Sequence, residues 1–191
     1  MMAEQILIQE ARIAFPDLFE AVQFQGQGPF QYRCTFLIPP ENPAVKHINA
    51  AMVKIAADKW GAKAEAILKQ IKATSGKCFF VDGDTKAYNG YAGNWAVTAT
   101  RNQDAGAPLV VGRGGRKDVL SAADGKIYSG CYVNGTIEVW AQDNSFGKAI
   151  RATLVNVQFV KNGESFGGAA PANANNLDEL AFEDDELDED I

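Results

Sequence analysis

Residues 128–142 read YSGCYVNGTIEVWAQ, and they alternate almost without interruption. Cys131, Val133, Ile137, Val139 and Ala141 share one parity, whereas Tyr128, Tyr132, Asn134, Thr136, Glu138, Trp140 and Gln142 share the other. Side chains of period two point to opposite faces of a strand, so this segment is a half-buried β-strand with an aliphatic core face. Three aromatics are left on the face that carries the polar residues.

Other segments repeat the pattern. From Gln5 to Phe15, Leu7, Ala11, Ile13 and Phe15 fall on one parity against Glu10 and Arg12, and Pro16 is expected to end that strand. After a turn at Gly26–Gly28, Phe30, Tyr32, Cys34, Phe36 and Ile38 oppose Gln31, Arg33 and Thr35. Pro39 and Pro40 stop this second strand. Asn42-Pro43 then suits an N-cap and first turn, and Val45, Ile48, Met52 and Ile55 recur at helical spacing. Gly61 interrupts the helix, and Ala64, Ile67, Leu68 and Ile71 continue an apolar stripe to about residue 72. Short strands return at KCFFV, NWAVTATR, where Trp95 shares the buried parity, and LVV. In the last strand, Ala149–Val160, the apolar parity switches near Leu154 or Val155, which predicts a β-bulge.

A chain of 191 residues with 47% apolar content holds one core. The expectation is a mainly β, barrel-like body over residues 1–161, with a helical insertion at about 43–72. A linker at 162–176 and an acidic tail at 177–191, disordered in isolation, follow it. The N-terminus lacks the order of a secretory signal and no apolar run reaches bilayer length, so the expectation is a soluble, cytosolic protein.

Charge is distributed unevenly along this plan. The last fifteen residues hold nine carboxylates and no base, leaving 18 basic against 15 acidic residues in everything before Leu177. A mildly basic body beside an acidic block suggests a polyanion partner for the body. Exposed aromatics on a polar face suit unpaired bases, whose flat faces stack at roughly 1–3 kcal/mol each. Tyr128, Tyr132 and Trp140 are the leading stacking candidates, joined by Tyr88 and Tyr91 in the Gly-rich stretch DGDTKAYNGYAGN. Arg12, Arg33, Lys77, Arg101 and Arg151, with Arg113, Arg116 and Lys117 of the GRGGRK tip, are the candidates for phosphate pairing. In the tail, apolar residues interrupt the acids. Phe182 and Ile191 with Asp184, Asp185, Glu186, Asp188, Glu189 and Asp190 form a candidate docking segment for a basic, pocketed partner.

Catalytic and metal signatures do not assemble. GESFG spells a nucleophile elbow around Ser165, but no helix-forming sequence follows and the sole histidine, His47, lies upstream. VGRGGRKD lacks the GK[ST] ending of a phosphate loop, and Asp82 with Asp84 lacks the other ligands of a calcium loop. Cys34, Cys78 and Cys131 are scattered through apolar runs and read as reduced core residues. No enzyme, no metal and no cofactor is expected.

In order, ARIAFPDLFE, YRCTFLIPPENP, a helix, FFVDGD, YSGCYVNGTIEVWAQDN, TLVNVQFVKNGESFGG and an acidic end resemble the bacteriophage single-stranded-DNA-binding protein family across essentially the whole chain. The resemblance implies an oligonucleotide/oligosaccharide-binding (OB) barrel with helical insertions. It also implies a role in phage DNA replication or recombination in the cytoplasm of the infected bacterium. The acidic terminus is similar to those through which such proteins recruit replication or recombination proteins, although it ends in Ile191 rather than an aromatic. Stacking and phosphate pairing serve single-stranded RNA as well as DNA, so both stay open as ligands. The rival reading is a protein-interaction module or DNA mimic acting through its acidic tail.

Overall fold

The structure, a computed structural model, describes residues 3–167. The acidic tail with its docking segment, and the linker beyond Gly167, lie outside the described residues. Strand β1 (Glu4–Phe24) pairs through its first half with β6 (Tyr132–Asn144) and through its second with β2 (Gln27–Ile38). Strand β4 (Trp95–Asn102) lies on β2, and β7 (Gly147–Lys161) forms a hairpin with β6. A parallel contact between Thr100 and Thr153 joins β4 to β7 and closes the ring β1-β2-β4-β7-β6. This is an OB-type barrel. The short strands β3 (Phe80–Asp82) and β5 (Leu109–Val111) extend it at β4 and β7.

The alternation of β6 is realised as read: Val133, Ile137 and Val139 are fully buried. On β7 the ladder passes from Thr136–Asn156 to Ile137–Leu154 and skips Val155, which is the bulge that the switch of apolar parity anticipates. Trp95, expected on the buried side, is half-buried and stacks on Phe80 with ring centroids 4.6 Å apart.

Strand β1 departs from its expected parity. A strand shared between two neighbours of a closing barrel has to bend, and two bulges bend it. At the first, Gln9 and Glu10 together oppose Asn134, with Glu10 at φ 53 and its N–H donating to Asn134 Oδ1 at 2.9 Å. The extra residue reverses the parity, so Ile6 and Ile8 face the core and Leu7 faces out. At the second, Phe15 and Pro16 fall between the paired residues Ala14 and Asp17, with Phe15 at φ 50. Phe15 is thereby turned outward, contrary to the parity assigned above. Pro16 sits where no ladder N–H is required, so it does not end the strand.

Between β2 and β3 lie α1 (Pro43–Trp60) and α2 (Ala64–Ala73), separated by a 3-10 turn at Gly61–Lys63. Asn42 Oδ1 accepts from the Ala44 N–H at 2.9 Å, and Gly61 (φ 56) terminates α1. Ile48, Met52, Ile55, Leu68 and Ile71 pack into the same core cluster as Ile8, Ile137 and Ile150. All three cysteines are free and buried. Burial raises the thiol pKa of each, Cys131 to about 11, which suppresses the reactive thiolate.

The body does not stop at residue 161. Gly163 to Gly167, assigned above to the linker, fold back as a strap over β1 and β6. Tyr128 Oη donates to the Gly163 carbonyl at 2.8 Å and accepts from the Gly163 N–H at 2.9 Å, and the Phe166 N–H donates to Ser129 O at 3.1 Å.

Candidate nucleic-acid interface

Four of the eight cations expected to meet phosphate are engaged with the protein's own backbone carbonyls. Arg12 Nε donates to Gly130 O at 3.0 Å and Nη2 to Glu164 O, while its guanidinium lies 4.2 Å from the Phe166 ring centroid and 5.5 Å from that of Tyr132. Arg101 shares the inward parity of Val97 and Ala99. It ties the barrel end to the carbonyls of Gly106, Leu154 and Ala105 at 2.8, 3.3 and 3.0 Å. Arg151 bonds Gly76 O and Gln142 Oε1, and Lys77 bonds Phe146 O. Of these carbonyls only those of Gly130 and Leu154 belong to buried residues, where a donor is required; the others lie in exposed loops and turns.

Two groups of cations differ. Arg33 rests against the Phe24 ring, 5.4 Å from its centroid, on the outer face of β2. Arg113, Arg116 and Lys117 are exposed on a tip attached to β7 where Gln158 Nε2 donates to Gly112 O. Gln158 lies five residues along β7 from Thr153, or roughly 16 Å of strand, so the tip and Arg33 do not form one cluster.

The aromatic candidates also separate. Tyr91 is 5% exposed and fills an apolar patch with Ala14, Leu37 and Ala96, so it presents no face to a base. Burial raises its phenol pKa, with the Thr35 bond acting in the opposite sense. Tyr128 is held by the strap. Tyr132 stands between Arg12 and the Lys161 ammonium, the latter 4.7 Å from its ring centroid. Trp140 is half-exposed and donates from Nε1 to Thr153 Oγ1 at 3.0 Å. Tyr88, at 55% exposure, does lie on the surface.

The open surface is the outer face of β2 and β4. Paired outward residues run Gln31–Asn102, Arg33–Thr100, Thr35–Thr98 and Leu37–Ala96. Its lower end, at Leu37 and Ala96, is roofed by the 83–94 loop and Phe166. Its upper end, at Arg33 and Thr100, is open, and Thr100 leads across to Thr153 and Trp140. At the step between the two halves Phe15 (47% exposed) meets Tyr88 edge-on, with ring centroids 5.1 Å apart. Phe24 and Phe30 are exposed on the β1–β2 hairpin above Arg33. Phe15, Phe24 and Phe30 are absent from the sequence-derived set because core parity claims Phe15 and Phe30, and Phe24 lies beyond the expected end of β1. The chance of finding them lay in the glycine turn at 26–28, which marks that hairpin.

The two aspartates of VDGDTK are structural. Asp82 Oδ1 accepts from the Asp84 N–H, and Asp84 Oδ1 accepts from the Gly93 N–H. Among the described residues no group of three or more His, Cys, Asp or Glu is placed to hold a metal ion, and no helix is long and apolar enough to cross a membrane.

Asp17 pairs with Arg33 across β1 and β2. Burial raises its carboxyl pKa, opposed by the Arg33 charge. The folded chain thus holds this proton more tightly than the unfolded chain, so the group's contribution to stability is full at low pH and declines as pH rises through the raised value. Asp17→Asn is expected to raise the thermal midpoint slightly at pH 7, with the difference vanishing in acid. Melts from pH 3 to 7 check this, and a lower midpoint at pH 7 would show that the Arg33 attraction dominates.

Comparison with known proteins gives this face a context. Residues 4–190 match the family described as Enterobacter phage Enc34, ssDNA-binding protein. Protein p50 of Acyrthosiphon pisum secondary endosymbiont phage 1 is 39% identical over 184 residues, 95% of this chain and 97% of that protein. The single-stranded DNA-binding protein of bacteriophage Enc34, solved in complex with ssDNA, superposes with a TM-score of 0.71 at 26% identity, covering 85% of this chain and 89% of that one. Gp2.5, a single-stranded DNA-binding protein of bacteriophage T7, shares the fold with a TM-score of 0.54 at 16% identity, over 88% and 91% of the two chains. The OB-type barrel, its helical insertion and the family-wide match agree, and the chain belongs to the Enc34 phage ssDNA-binding protein family.

Proposed function

We propose that this protein binds single-stranded DNA without sequence preference, as a non-enzymatic coating factor in phage DNA replication or recombination in the host cytoplasm. The observation that carries the reading is the fold shared with the Enc34 protein, which was solved with ssDNA. OB barrels hold oligonucleotides on this strand face and its bordering loops. Here the strand crosses the open half of the β2–β4 face, stacking bases on Phe15, Tyr88 and Phe24. Arg33 takes phosphate there, and a longer strand continues past Trp140 toward Arg113, Arg116 and Lys117. The acidic tail recruits replication or recombination proteins through Phe182, Asp184, Asp185, Glu186, Asp188, Glu189, Asp190 and Ile191, and without DNA it competes for the same basic face.

Titration with oligo-dT, oligo-U and a matched duplex, following tryptophan and tyrosine fluorescence, tests the reading. Neutralising ~4 phosphates gives a slope of log affinity against log salt near −3 for a single strand. Ending the chain at Asn176 is expected to tighten binding, most at low salt, because the competing polyanion is gone. Unchanged affinity at every salt concentration would rule the competition out. Absence of binding to any nucleic acid by either chain would leave an interaction module acting through the tail, and equal affinity for oligo-U would extend the ligand to RNA.

A further inference from the structure

The strap at Gly163–Gly167 has no part in closing the barrel, yet it is closely fitted to it. Its near end is fixed by the reciprocal Tyr128–Gly163 bonds and by Arg12 at the Glu164 carbonyl. Its far end grips the 83–94 loop: Asn89 Nδ2 donates to the Phe166 carbonyl at 2.6 Å, and the Phe166 ring lies directly over Gly90. The fit excludes even a methyl group. A Cβ at Gly90 would overlap the Phe166 ring, one at Gly130 would meet the Glu164 carbonyl, and one at Gly163 would meet the Gly130 carbonyl.

Tyr88 lies one residue before Asn89. The loop that carries it is pinned by Tyr91 in the Ala14–Leu37–Ala96 patch, against which Phe166 also packs, and by the Asn89 bond to the Phe166 carbonyl. On the reading that Tyr88 and Phe15 receive a base, we infer that Phe166 is a positioning residue: it clamps the 83–94 loop so that the Tyr88 ring stands beside Phe15 before DNA arrives. Preorganisation of this kind removes the ordering cost that a free loop would bring to binding.

The test is a double-mutant cycle on the full chain with Phe166→Ala and Tyr88→Ala, reading affinity for labelled oligo-dT by anisotropy and folding by thermal midpoint. Each single change is expected to weaken binding, Tyr88→Ala by roughly 10-fold and Phe166→Ala by roughly 3- to 10-fold. The double variant should bind like Tyr88→Ala alone, because a clamp has nothing to position once the ring is gone. Asn89→Ala should mimic Phe166→Ala in direction. Midpoints within a few degrees of the parent separate positioning from unfolding. Losses that add in the double variant, or a Phe166→Ala loss that disappears when the chain ends at Asn176, would overturn the clamp. If the parent chain itself does not bind oligo-dT, the functional reading fails instead, and the two failures are distinct.

Discussion

Replacing Phe15 with glycine and Tyr88 with alanine together is expected to weaken oligo-dT binding roughly 5- to 150-fold while leaving the barrel no less stable. The two rings meet edge-on at 5.1 Å and form one platform, so the loss corresponds to about one stacked base, or roughly 1–3 kcal/mol. Phe15 adds a second readout. It is held at φ 50, a left-handed conformation that strains a non-glycine residue by about 1–3 kcal/mol, and its ring is nearly half exposed. Glycine relaxes that strain, so Phe15→Gly alone should keep or raise the thermal midpoint even as binding falls. Opposite movement of stability and affinity is hard to produce except at a residue kept for its ligand. Anisotropy titration and thermal melts of the single and double variants decide the matter. Unchanged affinity would move the stacking surface to Trp140 and Tyr132, and a large fall in midpoint would make Phe15 a packing residue.

The contrast between Phe15 and Tyr132 shows what a sequence conveys about such a surface. Long alternation is local information, and β2, β6 and the β7 bulge were readable because each side chain announces its face relative to its neighbours. The capped α1 and its break at Gly61 were equally legible. What reverses a face is a bulge, and the two in β1 are built on Glu10 and Phe15, residue types that give no warning of positive φ. One such bulge turns Leu7 outward, and the other turns out Phe15, which meets Tyr88 at the surface.

The internal bonds of the cations were hidden for a different reason. Arg12 and Arg151 read as phosphate ligands because the carbonyls they bond, of Gly130 and Glu164 and of Gly76, are distant in sequence; Arg101 bonds the distant Leu154 carbonyl and also those of the adjoining Ala105 and Gly106, which its parity does not disclose. Barrel ends and bulges leave carbonyls without ladder partners, and an arginine is the side chain that can satisfy several at once. Counting outward cations therefore does not show which of them already bond the protein's own carbonyls. Arg33, resting on an aromatic ring at an open face, is the informative one.

The same logic of faces predicts the largest effect on the body itself. In the alternation of β6 one inward position carries no side chain, Gly135, and the fully buried Phe36 ring occupies the space a side chain would take. A Cβ at Gly135 would stand 2.5 Å from Phe36 Cε1 and closer still to Cζ. Its backbone is not left-handed, so alanine meets no conformational strain there and should gain roughly 0.4–1 kcal/mol through the unfolded chain. Overpacking outweighs this, because Phe36 is enclosed on every side and a filled core resists an added methyl by typically 1–3 kcal/mol and occasionally more. Gly135→Ala is thus expected to lower stability by about 0.5–2.5 kcal/mol, or roughly 1–10 °C in midpoint for a domain of this size. Shrinking the ring should compensate. Phe36→Leu alone leaves a cavity and destabilises, but added to Gly135→Ala it should remove less stability than the two single losses combined, a coupling of at least about 0.5 kcal/mol. Urea unfolding of the four chains measures the cycle. Strict additivity would mean that the Gly135 gap and the Phe36 ring are independent, and that the missing side chain in the β6 alternation answers to something other than the ring.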